Sequence, residues 1–252
     1  MNISTFDVSF ATDCNISSER SSGSDIRYFP FDIHIEHFES ISRAKNKTLG
    51  PRIWNMAKAC PAVILAAGAS QRLGQPKSLV TVGDTTLVGL AYQKLVKAGC
   101  SPILIVTRSE LSIPIMQATI GSTVIVNQTP EEGRTGSIQC GILSLAGDKG
   151  RMPRQVIIAP VDRPGWSIEH VKSLLLQERS STLASNGRRG HPLLLDADAI
   201  QSVLAAPAQS PLRELVSFAE VIVDAPHLGL NIDHPDDLIL LKQHELSLLD
   251  MA

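Results

Sequence analysis

Four side chains in this sequence have the charge and the setting for phosphate chemistry: Arg72, Lys77, Asp162 and Asp233. The two cations belong to AVILAAGASQRLGQPK at 62–77, where a short apolar run passes abruptly into a glycine loop. Ala62-Val63-Ile64-Leu65 has the length and branching of a strand covered on both faces, and Gly68 and Gly74 let the loop run close to an anion with no Cβ in the way. An Arg and a Lys just beyond such a turn supply charge to a bound phosphate. The generic phosphate signatures do not fit, since the sequence has neither G-x-x-x-x-G-K-[ST] nor G-x-G-x-x-G at this loop. The two carboxylates stand in APVDRP and LNIDHPDDL. Asp162 directly follows the apolar run QVIIAP, between prolines that fix the backbone, a setting that suits a divalent cation and equally a turn or a helix cap. Asp233 comes after EVIVD, and its neighbours Asp236 and Asp237 read as first-turn helix residues favoured by the dipole. Two aspartates placed at strand ends can converge on one metal.

The elements that must position these groups alternate from residue 61 onward. TLVGLAYQKLVKAGC keeps Leu87, Leu90, Ala91, Leu95 and Val96 at helical spacing and stops at Gly99. ILIVT (103–107), TVIVN (123–127) and QVIIAP (155–160) read as further buried strands, each separated by enough chain for a crossover helix. That rhythm predicts a Rossmann-like, three-layer α/β/α sandwich with a mostly parallel central sheet. The C-terminal third is less regular: TLAS, HPLLL and EVIVD read as short strands, with helices near 167–179, 197–205 and 235–249. Ligands of such sheets bind outside the carboxyl ends of the strands, which is where the four charged residues fall.

Seven of the ten aromatic residues precede residue 60, and a Ser-rich stretch, SSERSSGSD, lies at 17–25. Residues 1–58 are therefore read as a partly disordered N-terminal extension and 59–252 as the functional domain. Within the extension FDIHIEHF alternates like one short strand; His34, Glu36 and His37 read as surface polar residues, because neighbouring strand residues point to opposite faces.

A formal net charge of -2 and a pI near 6.4 argue against a broad nucleic-acid surface, so the expected anion is small. Cys14, Cys60, Cys100 and Cys140 form no C-x-x-C pair, which points to reduced thiols and a cytoplasmic protein. No apolar run approaches the ~20 residues a membrane span needs, and the first residues lack the pattern of a signal peptide, so neither membrane nor export is expected.

A second loaded segment is Asn127 followed by QTPEEGRTGSIQCGI, where Gly133 to Ser137 precede a helix whose N-terminus exposes N–H groups; it reads equally as a polar loop with a Gly-Ser helix start.

The pattern L-A-A-G-x-S-x-R-x-G-x-x-K, carried by Leu65, Ala66, Ala67, Gly68, Ser70, Arg72, Gly74 and Lys77, resembles the opening loop of the MobA-like nucleotidyltransferases, which include molybdenum-cofactor cytidylyl- and guanylyltransferases. P-V-D-x-P and N-I-D-x-P around Asp162 and Asp233 resemble the family's aspartate motifs, and Gly190-His191-Pro192 resembles a G-H-P turn that the family places beside its acceptor. The resemblance spans residues 62–241. It implies transfer of NMP from an NTP to a phosphorylated acceptor, in this branch the molybdopterin cofactor, with release of pyrophosphate and delivery of the product to a molybdoenzyme. It assigns catalysis to Arg72, Lys77 and Asp162, and Mg²⁺, or Mn²⁺ in its place, to Asp162 and Asp233. Nucleotide binding falls to Leu65, Ala66, Ala67, Gly68, Ser70, Asn127, Gly133 and Ser137, and acceptor binding to Gly190 and His191. Ala66-Ala67 matches the cytidylyl-type loop, so CTP is favoured. The chain departs from the pattern at GQPK, where many relatives have an acidic residue before the Lys, and at QSPLREL, where cofactor cytidylyltransferases often show G-D-x-G-A-R. A sugar- or alditol-phosphate acceptor, or a non-catalytic nucleotide-binding module, stays open as an alternative.

Overall fold

Alternation along β1 (Ala62–Leu65) sets the layering of the molecule. Ala62 and Ile64 join one apolar cluster and Val63 and Leu65 another, so the strand is buried from both sides, as its unbroken apolar run requires. The structure, a computed structural model, describes residues 59–146 and 150–252. The extension expected at 1–58, with FDIHIEHF, His34, Glu36, His37 and Cys14, lies outside the described residues.

Beyond the glycine loop comes a small hairpin of β2 (Thr81–Val82) and β3 (Thr85–Thr86), which the sequence reading missed because each strand is two residues long. Then follow α1 (Leu87–Lys97), β4 (Ile103–Thr107), α2 (Ser112–Ala118), β5 (Thr123–Val126), α3 (Arg134–Ala146) and β6 (Gln155–Pro160). Thr86 caps α1 by accepting the Gly89 N–H, one of the donors a helix start leaves unpaired. The remainder comprises α4 (Ile168–Leu175), β7 (Ser181–Ser185), β8 (Arg188–Asp196), α5 (Ala197–Ala205), α6 (Leu212–Leu215), β9 (Ala219–Ile222), α7 (Asp237–Gln243) and α8 (Glu245–Asp250).

The main sheet runs β5-β4-β1-β6-β8-β7-β9. Its first four strands are parallel, with Ala62 level with Ile103 on one side and Ile157 on the other. β8 runs against both of its neighbours, while β7 and β9 are parallel to each other, so the sheet is mostly parallel as expected. Val88, Ala91 and Leu95 of α1 and Val171 and Leu174 of α4 cover one face. Ile138 and Ile142 of α3 and Ala199, Ile200 and Val203 of α5 cover the other. Chain order leaves β1 toward β4 on one side and toward β6 on the other, and such a switch point opens a crevice at the strand ends.

A third apolar cluster positions the site. Leu73 from the glycine loop, Val82 from the hairpin, Leu87 and Leu90 from α1, Ile232, and Leu241 and Leu248 from the last two helices are buried together. Leu73 adjoins Arg72 and Ile232 adjoins Asp233, so this packing fixes the two charged neighbours. The single helix expected at 235–249 is instead two, broken at His244, which lets both Leu241 and Leu248 reach the cluster. Among the described residues no helix is long and apolar enough to cross a membrane.

Candidate active site

The glycine loop is held by its backbone. Ala66 N–H donates to Val106 O at 2.8 Å, the Thr107 hydroxyl donates to Ala66 O at 3.3 Å, and Arg108 Nε and Nη2 donate to Ala67 O at 3.2 and 3.1 Å. Ser70 turns the chain with φ +54°, a left-handed conformation that non-glycine residues seldom adopt. Its carbonyl accepts the N–H groups of Leu73 and Gly74, and its hydroxyl accepts the Lys77 N–H at 3.0 Å. Those bonds return the chain so that Arg72 and Lys77 face the same space.

Both cations meet Asp233. Lys77 Nζ is paired with Asp233 Oδ1 and lies 3.9 Å from Asp162 Oδ2; Arg72 Nη1 is 2.5 Å from Asp233 Oδ2. The Lys77 side chain is 13% exposed and that of Arg72 is 67% exposed, so the lysine sits at the floor and the arginine at the mouth. The hydrogen bond from Lys77, followed by the charges of Lys77 and Arg72, holds the Asp233 carboxyl below the usual carboxylate range.

Asp162 leaves the end of β6, as the sequence indicates. Asp233 does not leave a strand: β9 ends at Ile222, and residues 223–232 wind back across the sheet before reaching it. The two loops meet because Ile232 N–H donates to Asp162 O at 2.9 Å. Asp237, expected as a first-turn residue, opens α7 and also accepts the N–H groups of Asp233 and His234 at 2.8 and 2.7 Å.

The second segment is more tightly tied than a free helix start. Asn127 Nδ2 donates to Ser137 Oγ at 3.1 Å, and its Oδ1 accepts the Thr129 N–H. Gly136 N–H, expected to face a ligand, donates instead to Ala208 O at 3.1 Å, and the Thr135 hydroxyl donates to Ser210 O at 2.6 Å. The 206–210 segment therefore docks on the head of α3.

These elements enclose a cleft of about 380 Å³. It brings together Leu65, Ala66, Ala67, Gly68, Ser70, Arg72 and Lys77 from the loop, Gly133 and Ser137 from the second segment, and Asp162 with Asp233. Asn127 stands behind that wall, holding Ser137. His191 faces a second cavity of about 500 Å³, which shares Leu65, Arg134 and Pro160 with the cleft. Gly190 packs instead of lining either space: a Cβ there would fall 2.4 Å from Leu228 Cγ. Burial first, then the charges of Arg134 and Arg163, push the His191 imidazole down to about 3, and its Nδ1 is buried with no hydrogen-bond partner among the described residues.

Sequence reasoning missed Arg134, which borders both spaces, and Arg108, which fixes the loop. Each stood in plain view, at the head of a helix and just after a strand. It also missed Ser78, whose buried hydroxyl lines the cleft without a partner among the described residues. Among those residues no three His, Cys, Asp or Glu side chains cluster as a metal cage, so the protein's own offer to a cation is the aspartate pair.

The sequence profile described as the MobA-like NTP transferase domain matches residues 62–224. Nicotine blue oxidoreductase from Paenarthrobacter nicotinovorans is 32% identical over 148 residues, which cover 54% of this chain and 70% of that protein. Among solved structures, Rv0371c from Mycobacterium tuberculosis H37Rv superposes with a TM-score of 0.62 at 22% identity, covering 74% of this chain and 99% of that one. The same protein in complex with manganese gives 0.60 at 19% identity, covering 74% and 99%. CMP:2-keto-3-deoxy-manno-octonic acid synthetase complexed with CTP gives 0.57 at 15% identity, covering 75% and 99%. The structural likenesses establish the fold, and the profile, spanning well over half the chain, establishes that this protein belongs to the MobA-like NTP transferase domain family and is a nucleotidyltransferase.

Proposed function

We propose that the protein transfers CMP from CTP to a small phosphorylated acceptor, the molybdopterin cofactor, and releases pyrophosphate. The observation that carries this reading is the convergence of Asp162 and Asp233 on one cation, the Lys77 ammonium, at the floor of a cleft lined by the glycine loop. Two carboxylates already facing one positive charge fit a Mg²⁺ ion, or Mn²⁺, which takes one or two carboxylates and completes its octahedron with phosphate oxygens and water. When bound, the metal neutralises charge on the triphosphate and draws the reacting phosphates together.

The chain's own residues do the rest. Ala66, Ala67 and Gly68 present backbone to the base and ribose, with Leu65, Ser70, Gly133 and Ser137 forming the walls and Asn127 supporting Ser137. Lys77 donates to phosphate oxygens and stabilises the charge that develops on the departing pyrophosphate; Arg72 meets the outer phosphates at the mouth. The attacking acceptor phosphate is an anion, so no side chain needs to remove a proton from it.

The second cavity is the acceptor's seat. Ile138, Leu193, Leu212 and Phe218 give it apolar walls, and Arg134 and Arg213 give it positive charge. That chemistry suits a flat, weakly polar body with an anionic end. His191 borders it directly, whereas Gly190 packs on Leu228, which lies outside the cavity's walls. QSPLREL, the stretch that departs from the family pattern, supplies five of the residues along this wall, from Gln209 to Arg213. A sugar- or alditol-phosphate acceptor is accordingly the alternative that the same wall must discriminate against. The name of the relative at 32% identity poses a redox alternative, but an aspartate pair closed on a lysine beside a phosphate loop has no evident part in hydride transfer.

We further place the catalytic domain at 59–252, with 1–58 an extension dispensable for chemistry, and the product's release to a molybdoenzyme in the cytoplasm. The deciding experiment is pyrophosphate release from CTP, GTP, ATP and UTP in Mg²⁺, with molybdopterin or with a sugar or alditol phosphate as acceptor. CTP with molybdopterin should turn over fastest. Faster turnover with the sugar phosphate transfers the assignment to that acceptor, and a GTP or ATP preference reverses the base.

A further inference from the structure

We infer that Lys94 is a positioning residue for the aspartate pair: from inside α1 it clamps the loop that follows Asp162 and so sets the geometry in which both carboxylates meet a metal. The inference rests on the reading of Asp162 and Asp233 as metal holders.

Lys94 is 1% exposed. A buried ammonium ordinarily needs a carboxylate, because taking a charge out of water costs several kcal/mol. Among the described residues Lys94 has no such partner. Nζ donates instead to Pro164 O at 3.2 Å and Trp166 O at 2.7 Å, and stands 5.3 Å from the centre of the Trp166 ring. All three contacts belong to the segment that begins two residues after Asp162. The same segment is held from its other side: a Cβ on Gly165 would fall 1.7 Å from His227 O, so the backbones of the two loops touch there. His227 O accepts the Leu230 N–H at 2.9 Å, and Ile232 N–H donates to Asp162 O at 2.9 Å. One clamp therefore governs both aspartates, directly through 164–166 and indirectly through 227–232.

Geometry also explains why a lysine stands there. Two carbonyls pointing into an apolar layer need donors, and a neighbouring helix of the same layer has no free backbone N–H at mid-length to give. A long side chain carrying three donors bridges the gap. Burial pulls the ammonium down to about 7 from the ordinary 10.5, and the titratable groups that sense its charge are His170 and His227.

The test is titration of Mn²⁺ into the full chain with a non-hydrolysable CTP analogue, alongside metal-free binding of that analogue and thermal unfolding. Lys94→Met, which keeps the length and removes the donors, should weaken Mn²⁺ about tenfold or more, the usual effect of losing a support behind a metal ligand, and leave metal-free nucleotide binding unchanged. Lys94→Gln, which restores a donor, should recover part of that loss. Leu95→Ala, a core void in the same helix, should lower the melting temperature without moving Mn²⁺ affinity. A folded Lys94→Met or Lys94→Gln protein with wild-type Mn²⁺ affinity overturns the inference, as does equal weakening by Leu95→Ala. Should Lys94→Met fail to fold, the comparison of Lys94→Gln with wild type decides alone. Asp162→Ala run in parallel separates the two layers of argument: if it binds Mn²⁺ normally, the metal reading itself falls and takes the lysine's role with it.

Discussion

The two spaces at the strand ends share one wall and differ in almost everything else. The cleft under the glycine loop is charged, and its Arg72, Lys77, Asp162 and Asp233 are already paired with one another. The neighbouring cavity is apolar with two arginines, and the Nδ1 of its one histidine has no hydrogen-bond partner among the described residues. A space whose carboxylates are already met by cations is organised for a ligand that brings both signs, as a metal triphosphate does. A space with cations and no carboxylate on its walls is organised for an anion with an apolar body. On the proposed reading chemistry and acceptor choice fall to separate surfaces, joined at Leu65, Pro160 and Arg134.

The sharpest way to break this division is to remove a carboxylate. Asp162→Ala or Asp233→Ala should lower kcat/KM by roughly 10³-fold, in the range seen when electrostatic stabilisation of a transition state is lost, and the double variant should be little worse than the poorer single one. Additive losses measured by steady-state kinetics would show that the two aspartates serve different steps. Lys77→Ala should follow at about 10²-fold, shared between kcat and the KM for CTP. Arg72→Ala should cost less, because a side chain 67% exposed at the mouth works against solvent screening.

The charged cleft was largely legible in the sequence, and the acceptor cavity was not. Arg72, Lys77 and the glycines sit in one continuous stretch, and Asp162 follows an apolar run that could only be a strand. Asp233 was found for an imperfect reason. It reaches the site through residues 223–232 and a backbone bond to Asp162, which no local pattern announces. The reversal of β8 was equally silent, since HPLLL reads the same in either direction, and its partner is set by the tight Asn186-Gly187 turn, where both residues have positive φ. The cavity draws Leu65, Arg134, His191, Leu212 and Phe218 from five separate elements and loops, so its apolar character exists only once the chain is folded. Gly136 shows the converse: its N–H looked free in the sequence and is taken by Ala208, from a segment about 70 residues later.

Changes in the acceptor cavity should sharpen the comparison by leaving the cleft untouched. Arg213→Ala should raise the acceptor KM roughly tenfold, the effect expected from losing one charge-assisted hydrogen bond, with the KM for CTP unchanged. Phe218→Ala should act in the same direction through lost contact area. If either variant raised the CTP KM instead, the assignment of the two spaces would have to be exchanged.

The effect expected at His191 spares turnover at neutral pH and concerns acid stability. Its imidazole is held at about 3 against an ordinary 6.5, by burial first and then by the charges of Arg134 and Arg163. Between those values the unfolded chain binds a proton that the folded protein refuses, so stability rises with pH across the window and falls on acidification through it. Asp233 works in the same direction further into acid, because its depressed carboxyl contributes stability that is present above the unfolded pKa and lost as pH falls through the folded one. His191→Gln removes the first contribution and keeps the second, since glutamine has polar atoms for the cavity and no proton to gain. Near neutral pH, where His191 is uncharged in both states, the melting temperatures of the two proteins should lie close together. As the pH is lowered toward 4 the wild type should lose stability more steeply and the variant less, with the curves separating below 6.5. Parallel curves over that range would mean that the imidazole accepts its proton in the folded state, and the acceptor cavity would then hold a third positive charge in acid.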